Sequence, residues 1–224
     1  MQVIDFTSAD RIMSEGHTSK GDQPKWKQSG NWYKADHMGY EALSEIIVSR
    51  LLTWSNADDF VVYQPVFIHY NDKLIPGCSS HDFMRKDEML IPFERLHRAY
   101  EGRGLAQALT KFDSPAARIA YTVDFVERVT NLTGVGAYLT AILELDCLTL
   151  NEDRHTNNLA VLRNEETKEF RLCPIFDNGL SLLSDLNDYP LTDDLYTCIE
   201  RVQAKPFDSD HVEQVTAAEQ LYGR

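Results

Sequence analysis

Positive charge is what this sequence has least of. Its 224 residues hold 22 lysines and arginines against 35 aspartates and glutamates, a formal net charge of -13 at pH 7. A surface built for phosphate backbones or anionic lipids needs the opposite balance, so direct nucleic-acid binding is not expected, although a local basic patch stays open. Cysteine is nearly as scarce: Cys78, Cys147, Cys173 and Cys198 lie far apart, with no Cys-x-x-Cys and no zinc-finger spacing. They are expected to be buried, reduced thiols. No run approaches the roughly 20 apolar residues of a membrane span. The start, MQVIDFTSADRIM, lacks a basic segment followed by an apolar one, so the expectation is a cytoplasmic protein. Internal repeats and low-complexity tracts are also missing.

What remains is an ordinary globular composition, 43% hydrophobic and 25% charged, in a chain long enough for one domain or two small lobes. The first 80 residues read as strands around one helix. WKQSGNWYK looks like a hairpin, with Lys25 to Lys27 and Asn31 to Ala35 as its strands. From Tyr40 to Trp54, apolar Leu43, Ile46, Ile47, Leu51 and Trp54 keep the spacing of one helical face. FVVYQPVFIHY is strand-like, Asn71 and Asp72 make a turn, and Leu74 to Cys78 return. From residue 81 the pattern turns helical. Ser114-Pro115 starts a helix that keeps its period to Leu132, and Gly134 to Cys147 is a second, mostly apolar one. LAVL and FRLCPIF flank the turn RNEETKE as a hairpin over residues 159 to 176. The fold class expected is α+β, with a β-rich lobe over 1–80 and a mainly helical lobe over 81–224.

Two short segments carry chemistry: LNEDRHTNNLAVL and, after the turn, CPIFDNG. Asn158 directly precedes the first hairpin strand and Asp177 directly follows the second, so antiparallel pairing is expected to set them side by side. With Asp153 they make a set of hard oxygen donors suited to magnesium and to orienting a hydroxyl nucleophile. The step from Asp153 to Asn158 is also the one used in the protein-kinase catalytic loop. Taken singly, Asn-Glu-Asp and Asp-Asn-Gly are ordinary turns. Asp-Arg-His-x-x-Asn, however, should arise by chance in only about one in a thousand chains of this length.

DRHTNNLAVL with FDNG resembles the signature of the HipA-like kinases and, more distantly, of the phosphatidylinositol 3- and 4-kinases. TSKGDQPKW is similar to the phosphate-covering loop of HipA-like proteins, with Gly21, Gln23 and Lys25 at matching spacing. The resemblance implies a two-lobed protein-kinase-like fold that uses ATP and magnesium. It makes Asp153 the catalytic base, His155 a loop organiser, and Asn158 and Asp177 the magnesium ligands. It makes Lys34, in WYKAD, the lysine that contacts the phosphates, with Glu41 or Glu45 as its partner. Ile75 to Ser80 would be the hinge beside adenine, and Thr18, with Ser19 adjacent, the loop hydroxyl open to autophosphorylation. The phosphate loop departs from the pattern in carrying only Gly16 and Gly21, with no Gly-x-Gly-x-x-Gly.

Other features are read as structural. Trp26, Trp32 and Tyr33 are expected to pack across strands rather than stack a base. His17, His37, His69, His81, His97 and His211 show no ligand spacing and are read as surface or hydrogen-bonded. SDLNDYPLTDDL is read as a solvated acidic loop and helix start, able to repel anionic substrates or recruit a basic one. The function expected is transfer of the γ-phosphate of ATP to a Ser/Thr hydroxyl of a protein substrate. The alternatives are a lipid or small-molecule kinase, or a nucleotide-binding module without turnover. A transcription-regulator partner is implied only by the resemblance. Retention of Asp153, Asn158 and Asp177 together argues against a module without turnover.

Overall fold

The computed structural model describes residues 1–7 and 23–223. In chain order the elements are β1 (Gln2–Asp5), β2 (Lys25–Gln28), β3 (Asn31–Ala35), α1 (Glu41–Leu52), β4 (Gln64–Tyr70), β5 (Lys73–His81) and β6 (Glu88–Pro92). Then come α2 (Phe93–Glu101), α3 (Leu105–Leu109), α4 (Pro115–Thr130), α5 (Val135–Thr149), β7 (Ala160–Asn164), β8 (Phe170–Leu172), α6 (Leu195–Arg201) and α7 (His211–Tyr222). They group into two units, one of Met1–Phe83 with Asp177–Glu200, the other of Met84–Phe176 with Arg201–Arg224. The sequence expectation drew a single cut after residue 80. Here the chain leaves the first unit at Phe83 and returns to it at Asp177.

The first unit is built on a sheet in the order β1-β4-β5-β3-β2, antiparallel except for the β1–β4 pair. Turn chemistry fixes both hairpins. Ser29 and Gly30 join β2 to β3, and Asn71 and Asp72 join β4 to β5, all four with positive φ (51°, 76°, 49° and 57°), as the tightest hairpin loops require. One face carries a core of Phe6, Trp26, Ala35, Val66 and Ile68. Phe6 stacks on Trp26 at 5.0 Å with planes 2° apart, while Tyr33 and Tyr70 meet this pair edge-on. Trp26 and Tyr33 are therefore packing, as expected, while Trp32 has Lys27 Nζ 5.2 Å from its ring centre and donates from Nε1 to Asp82. Ile75 to Ser80 form the middle of β5 rather than a connecting hinge. Gly77 there lies opposite both Ala35 and Val66. A Cβ on it would stand 2.6 Å from the Lys34 carbonyl oxygen and 2.7 Å from Ile68 Cδ1.

Helix α1 turns the other way from its apolar period. Leu43, Ile47 and, just beyond the helix, Trp54 are exposed, by 51%, 39% and 83%. The buried side instead holds Glu41, Ala42, Ser44, Glu45, Val48, Ser49 and Leu52. Polar groups hidden in this way need partners, and those partners define the candidate site.

The second unit has a small sheet, β6-β7-β8, antiparallel throughout. Its hairpin is shorter than expected: pairing between β7 and β8 ends at Val161↔Leu172, so the ladder reaches neither Asn158 nor Asp177. The strand β6 was not foreseen. Helix α4 starts as expected, with the Ser114 hydroxyl accepting from Ala117 N–H at 3.2 Å and Pro115 in the first turn. His97 is fully buried and hydrogen-bonded through both ring nitrogens, to the Arg103 carbonyl (2.7 Å) and the Tyr121 hydroxyl (2.8 Å). His211 fits neither expectation for it: it is 7% exposed, and its ring nitrogens have no hydrogen-bond partner among the described residues. None of the four cysteines is in a disulfide; three are buried and Cys147 is partly so. Among the described residues no helix is long and apolar enough to cross a membrane.

The tight approach at Gly77 gives a direct test of the first unit's packing. Gly77→Ala should lower unfolding stability by about 1–3 kcal/mol, read as a reduced urea midpoint at unchanged slope, because the added methyl has backbone on one side of it.

Candidate functional site

The polar inner face of α1 meets Lys34, which is 9% exposed on β3. Its Nζ lies 2.5 Å from Glu45 Oε1 and 2.5 Å from Asp177 Oδ1. The Tyr63 ring packs 5.3 Å from the same ammonium. Burial alone would pull the lysine pKa down, but the charges of Asp177 and Glu45 outweigh it and hold the value well above the ordinary one. Burial likewise pushes the Glu45 carboxyl up, against the pull of Lys34. One ammonium thus faces two carboxyl groups, each 2.5 Å away.

The choice between Glu41 and Glu45, open in the sequence, is settled by what each accepts. Glu41 takes the backbone N–H groups of His37, Met38 (2.6 Å) and Gly39 (3.1 Å), closing the start of the helix. Glu45 takes Lys34 and, through its other oxygen, the N–H of Asn178 at 2.9 Å. The same helix face then secures the chain beyond Asp177. The Ser44 hydroxyl lies 3.1 Å from the Asn178 carbonyl and 2.9 Å from that of Ser181. The Tyr40 hydroxyl is 3.0 Å from the carbonyls of both Leu182 and Leu183. Those contacts hold Asp177, Leu182 and Leu183 in left-handed backbone, with φ of 60°, 58° and 59°. Side chains disfavour that region, so it persists where surrounding bonds over-determine it.

In the second unit the segment 151–158 leaves α5 through Leu150, itself left-handed at φ 56°. Its frame is a buried ion pair, with Arg154 and Asp146 side chains both fully enclosed. Arg154 donates from Nε to Asp146 Oδ2 (2.9 Å) and from Nη2 to Oδ1 (3.0 Å), a two-pronged contact, and from Nη1 to the Phe176 carbonyl (2.8 Å). Asn151 donates to Asp146 Oδ1 at 2.9 Å and accepts from the Asp153 N–H at 3.0 Å. The amide nitrogen of Asn158 donates to the Asp153 carbonyl at 2.9 Å, so its oxygen is the atom left for a cation. Thr156 donates to Glu94 Oε2 at 2.8 Å. The Asp153 carboxylate has His155 Nε2 and Lys205 Nζ each 3.7 Å away. Both ring nitrogens of His155 are enclosed without a hydrogen-bond partner among the described residues.

The expected site residues therefore fall into two sets. Lys34 and Asp177 meet in the first unit, and Asp153, His155 and Asn158 share one loop of the second. Lys25 sits directly across the sheet from Lys34 on the same face. Gln23 is half-buried just before β2. Gly21, with Gly16, His17, Thr18 and Ser19, lies outside the described residues. Sequence reasoning passed over Asp146, Glu94, Tyr63 and Lys205. Asp146 did leave a signal, a carboxylate in the mostly apolar run LTAILELDCLTL, but it shares that run with Glu144, and only burial with a specific partner tells the two apart. The other three left none.

No protein-family model matches the chain, and no curated protein sequence does. Among solved structures, a proinflammatory kinase from Helicobacter pylori, CtkA, matches with a TM-score of 0.55 at 20% sequence identity, over 83% of this chain. The chain spans 64% of the length of that neighbour. At such identity the likeness is one of fold, and the fold is α+β, two-lobed and protein-kinase-like.

Asp36 offers a pH test of how the α1 face is assembled. Its Oδ1 accepts the Ala42 N–H at 2.7 Å, yet burial, aided by Glu41, raises the carboxyl from 3.8 to about 6. A folded value above the unfolded one means the contribution to stability is complete below about pH 4 and is lost as pH rises through 6. Asp36→Asn keeps the acceptor and removes the charge. Urea unfolding should find the variant more stable than wild type at pH 8 and indistinguishable from it at pH 4.

Proposed function

We propose that the protein is an ATP- and magnesium-dependent kinase of the HipA-like type that phosphorylates serine or threonine hydroxyls of a protein substrate. The observation that carries this reading is Lys34 held between Glu45 and Asp177 at 2.5 Å from each. A strand lysine paired with a helix glutamate is the arrangement that active protein kinases require. The partly exposed Asp177 carboxyl group is a hard oxygen donor of the kind magnesium takes. The kinase-like fold and the Asp153-to-Asn158 spacing support the same reading.

The roles divide between the units. From the first, Lys34 contacts the nucleotide phosphates, Gly21, Gln23 and Lys25 belong to the segment covering them, and Asp177 holds metal. From the second, Asn158 holds metal through its amide oxygen, and Asp153 accepts the proton of the attacking hydroxyl. Bound magnesium would neutralise charge on the phosphates as transfer proceeds. The acceptor oxygen forms a bond to the γ-phosphorus, the bond from that phosphorus to the β–γ bridging oxygen breaks, and ADP leaves with the electron pair. His155 Nε2 and Lys205 Nζ, each 3.7 Å from the Asp153 carboxyl group, flank the group that would take the proton. Arg154 and Asp146 keep the loop from relaxing.

Incubation with γ-labelled ATP and magnesium, with the chain itself and a mixed serine/threonine peptide pool as acceptors, tests this directly. Asp153→Ala and Asp177→Asn should each reduce transfer by about 10²–10⁴-fold while leaving the circular dichroism spectrum unchanged. Nucleotide binding without transfer in the wild type would point to a binding module. Label appearing only on an added lipid or metabolite would point to a different acceptor class.

A further inference from the structure

Between Arg171 and Arg201 the chain has no lysine, arginine or histidine, yet Asp177, Asp185, Asp188, Asp193, Asp194 and Glu200 all fall there. The later part of this stretch is also openly apolar. Leu191, Leu195 and Tyr196 are 83%, 58% and 75% exposed, and Ile199 is 37% exposed. Large apolar side chains ordinarily appear singly on a surface, so four within one short segment mark a place where something binds. Leu195 and Ile199 stand four apart on α6, the spacing of one helical side, and Leu191 lies in the turn just before it.

The exposure does not come from a frayed backbone. Asp194 caps α6, accepting from the Thr197 N–H at 3.0 Å and its hydroxyl at 3.2 Å. The N–H of Asp193 donates to the Pro190 carbonyl at 2.9 Å and that of Cys198 to the Asp194 carbonyl at 3.0 Å. Cys198 within the helix and Tyr189 before it are 4% and 6% exposed. The segment is anchored through Cys198, Tyr189 and these hydrogen bonds while its larger apolar side chains stay exposed.

We infer that Leu191, Leu195, Tyr196 and Ile199, with Asp193 and Glu200 beside them, form a docking face for a polypeptide segment that alternates lysine or arginine with large apolar residues. Charge selects this occupant. Anionic lipid and nucleic acid would meet Asp193, Asp194 and Glu200, against Arg201 as the one basic residue of α6. A second copy binding through the same face would bring its own acidic residues opposite these in a two-fold contact. A basic, apolar segment gains from both the carboxylates and the leucine-tyrosine row, with the aromatic residue as anchor. The inference rests on the kinase reading only in calling this segment part of the protein substrate, and it narrows that substrate class.

Binding measured without nucleotide separates the two ideas. Fluorescein-labelled synthetic peptides would be titrated with the full chain and followed by anisotropy: one mixing Lys/Arg with Leu/Phe, one with Glu replacing every basic residue, and one with Ser replacing every apolar residue. The first should bind at least about 10-fold more tightly than either control and weaken with added salt. Leu195→Ser/Tyr196→Ser should lower its affinity by about 10-fold or more. Asp193→Asn/Glu200→Gln, which alters different atoms, should lower it by a few-fold and flatten the salt dependence. Equal binding of the basic and acidic peptides, or wild-type affinity in the Leu195/Tyr196 variant, overturns the inference. So does a wild-type dimer in sedimentation that this variant abolishes, since the occupant is then a second copy. Peptide binding with no phosphoryl transfer removes the kinase reading and keeps the docking face; transfer with no peptide preference does the reverse.

Discussion

An ammonium group taken out of water must be met by oxygen atoms or give up its proton. At Lys34 that demand shapes the first unit. It explains why α1 buries glutamate and serine and leaves leucine and isoleucine outside, because Glu45 has to reach the lysine and Ser44 the chain that carries Asp177. The close β3–β5 pairing at Gly77 follows from the same region of sheet, where the Lys34 carbonyl leaves no room for a methyl group. The Tyr63 ring completes the enclosure. None of these features makes sense as hydrophobic packing alone, and each follows once the buried charge is in place.

The second unit repeats the principle with arginine. Arg154 is fully enclosed, and two of its donors meet Asp146 while a third meets a backbone carbonyl. A guanidinium offers five donors in a fixed plane, so satisfying it fixes the orientation of whatever surrounds it. Asn151, Asp153 and Asn158 are arranged around that plane by short hydrogen bonds rather than by apolar contact. A loop built in this way is rigid without being part of a strand or helix, which is what positioned chemistry demands.

The sequence was most legible where local chemistry decides the backbone. Ser29-Gly30, Asn71-Asp72 and Ser114-Pro115 each act through φ preference or capping within a few residues, and their hairpins and helix formed as read. Periodicity misled at α1 because it assumes that the apolar side is the buried one, an assumption that fails when a charge network occupies the interior. Glu41 and Glu45 stand four apart on one helix face, so no spacing rule chooses between them, and the choice came from Lys34 and three backbone N–H groups. The hairpin at residues 159 to 176 was visible as two apolar runs, but the point where pairing stops was not, since ladder length depends on the neighbouring strand β6. Asp153, Asn158 and Asp177 were legible as a motif. Asp146, which supports the first two through Arg154 and Asn151, was visible only as an oddity inside an apolar helix.

The left-handed backbone at Asp177, Leu182 and Leu183 has a consequence for how the first unit can change shape. Three strained residues are kept in place by Lys34, Tyr40 and Ser44, the last two on or at the start of α1. A shift of that helix large enough to break one tie breaks several, and the released backbone has lower-energy conformations to fall into. Packed, over-determined contacts of this kind exchange between discrete arrangements rather than bending by degrees. Helix α1 therefore ties the lysine pair and the aspartate turn into one unit, so that neither can be moved without the other.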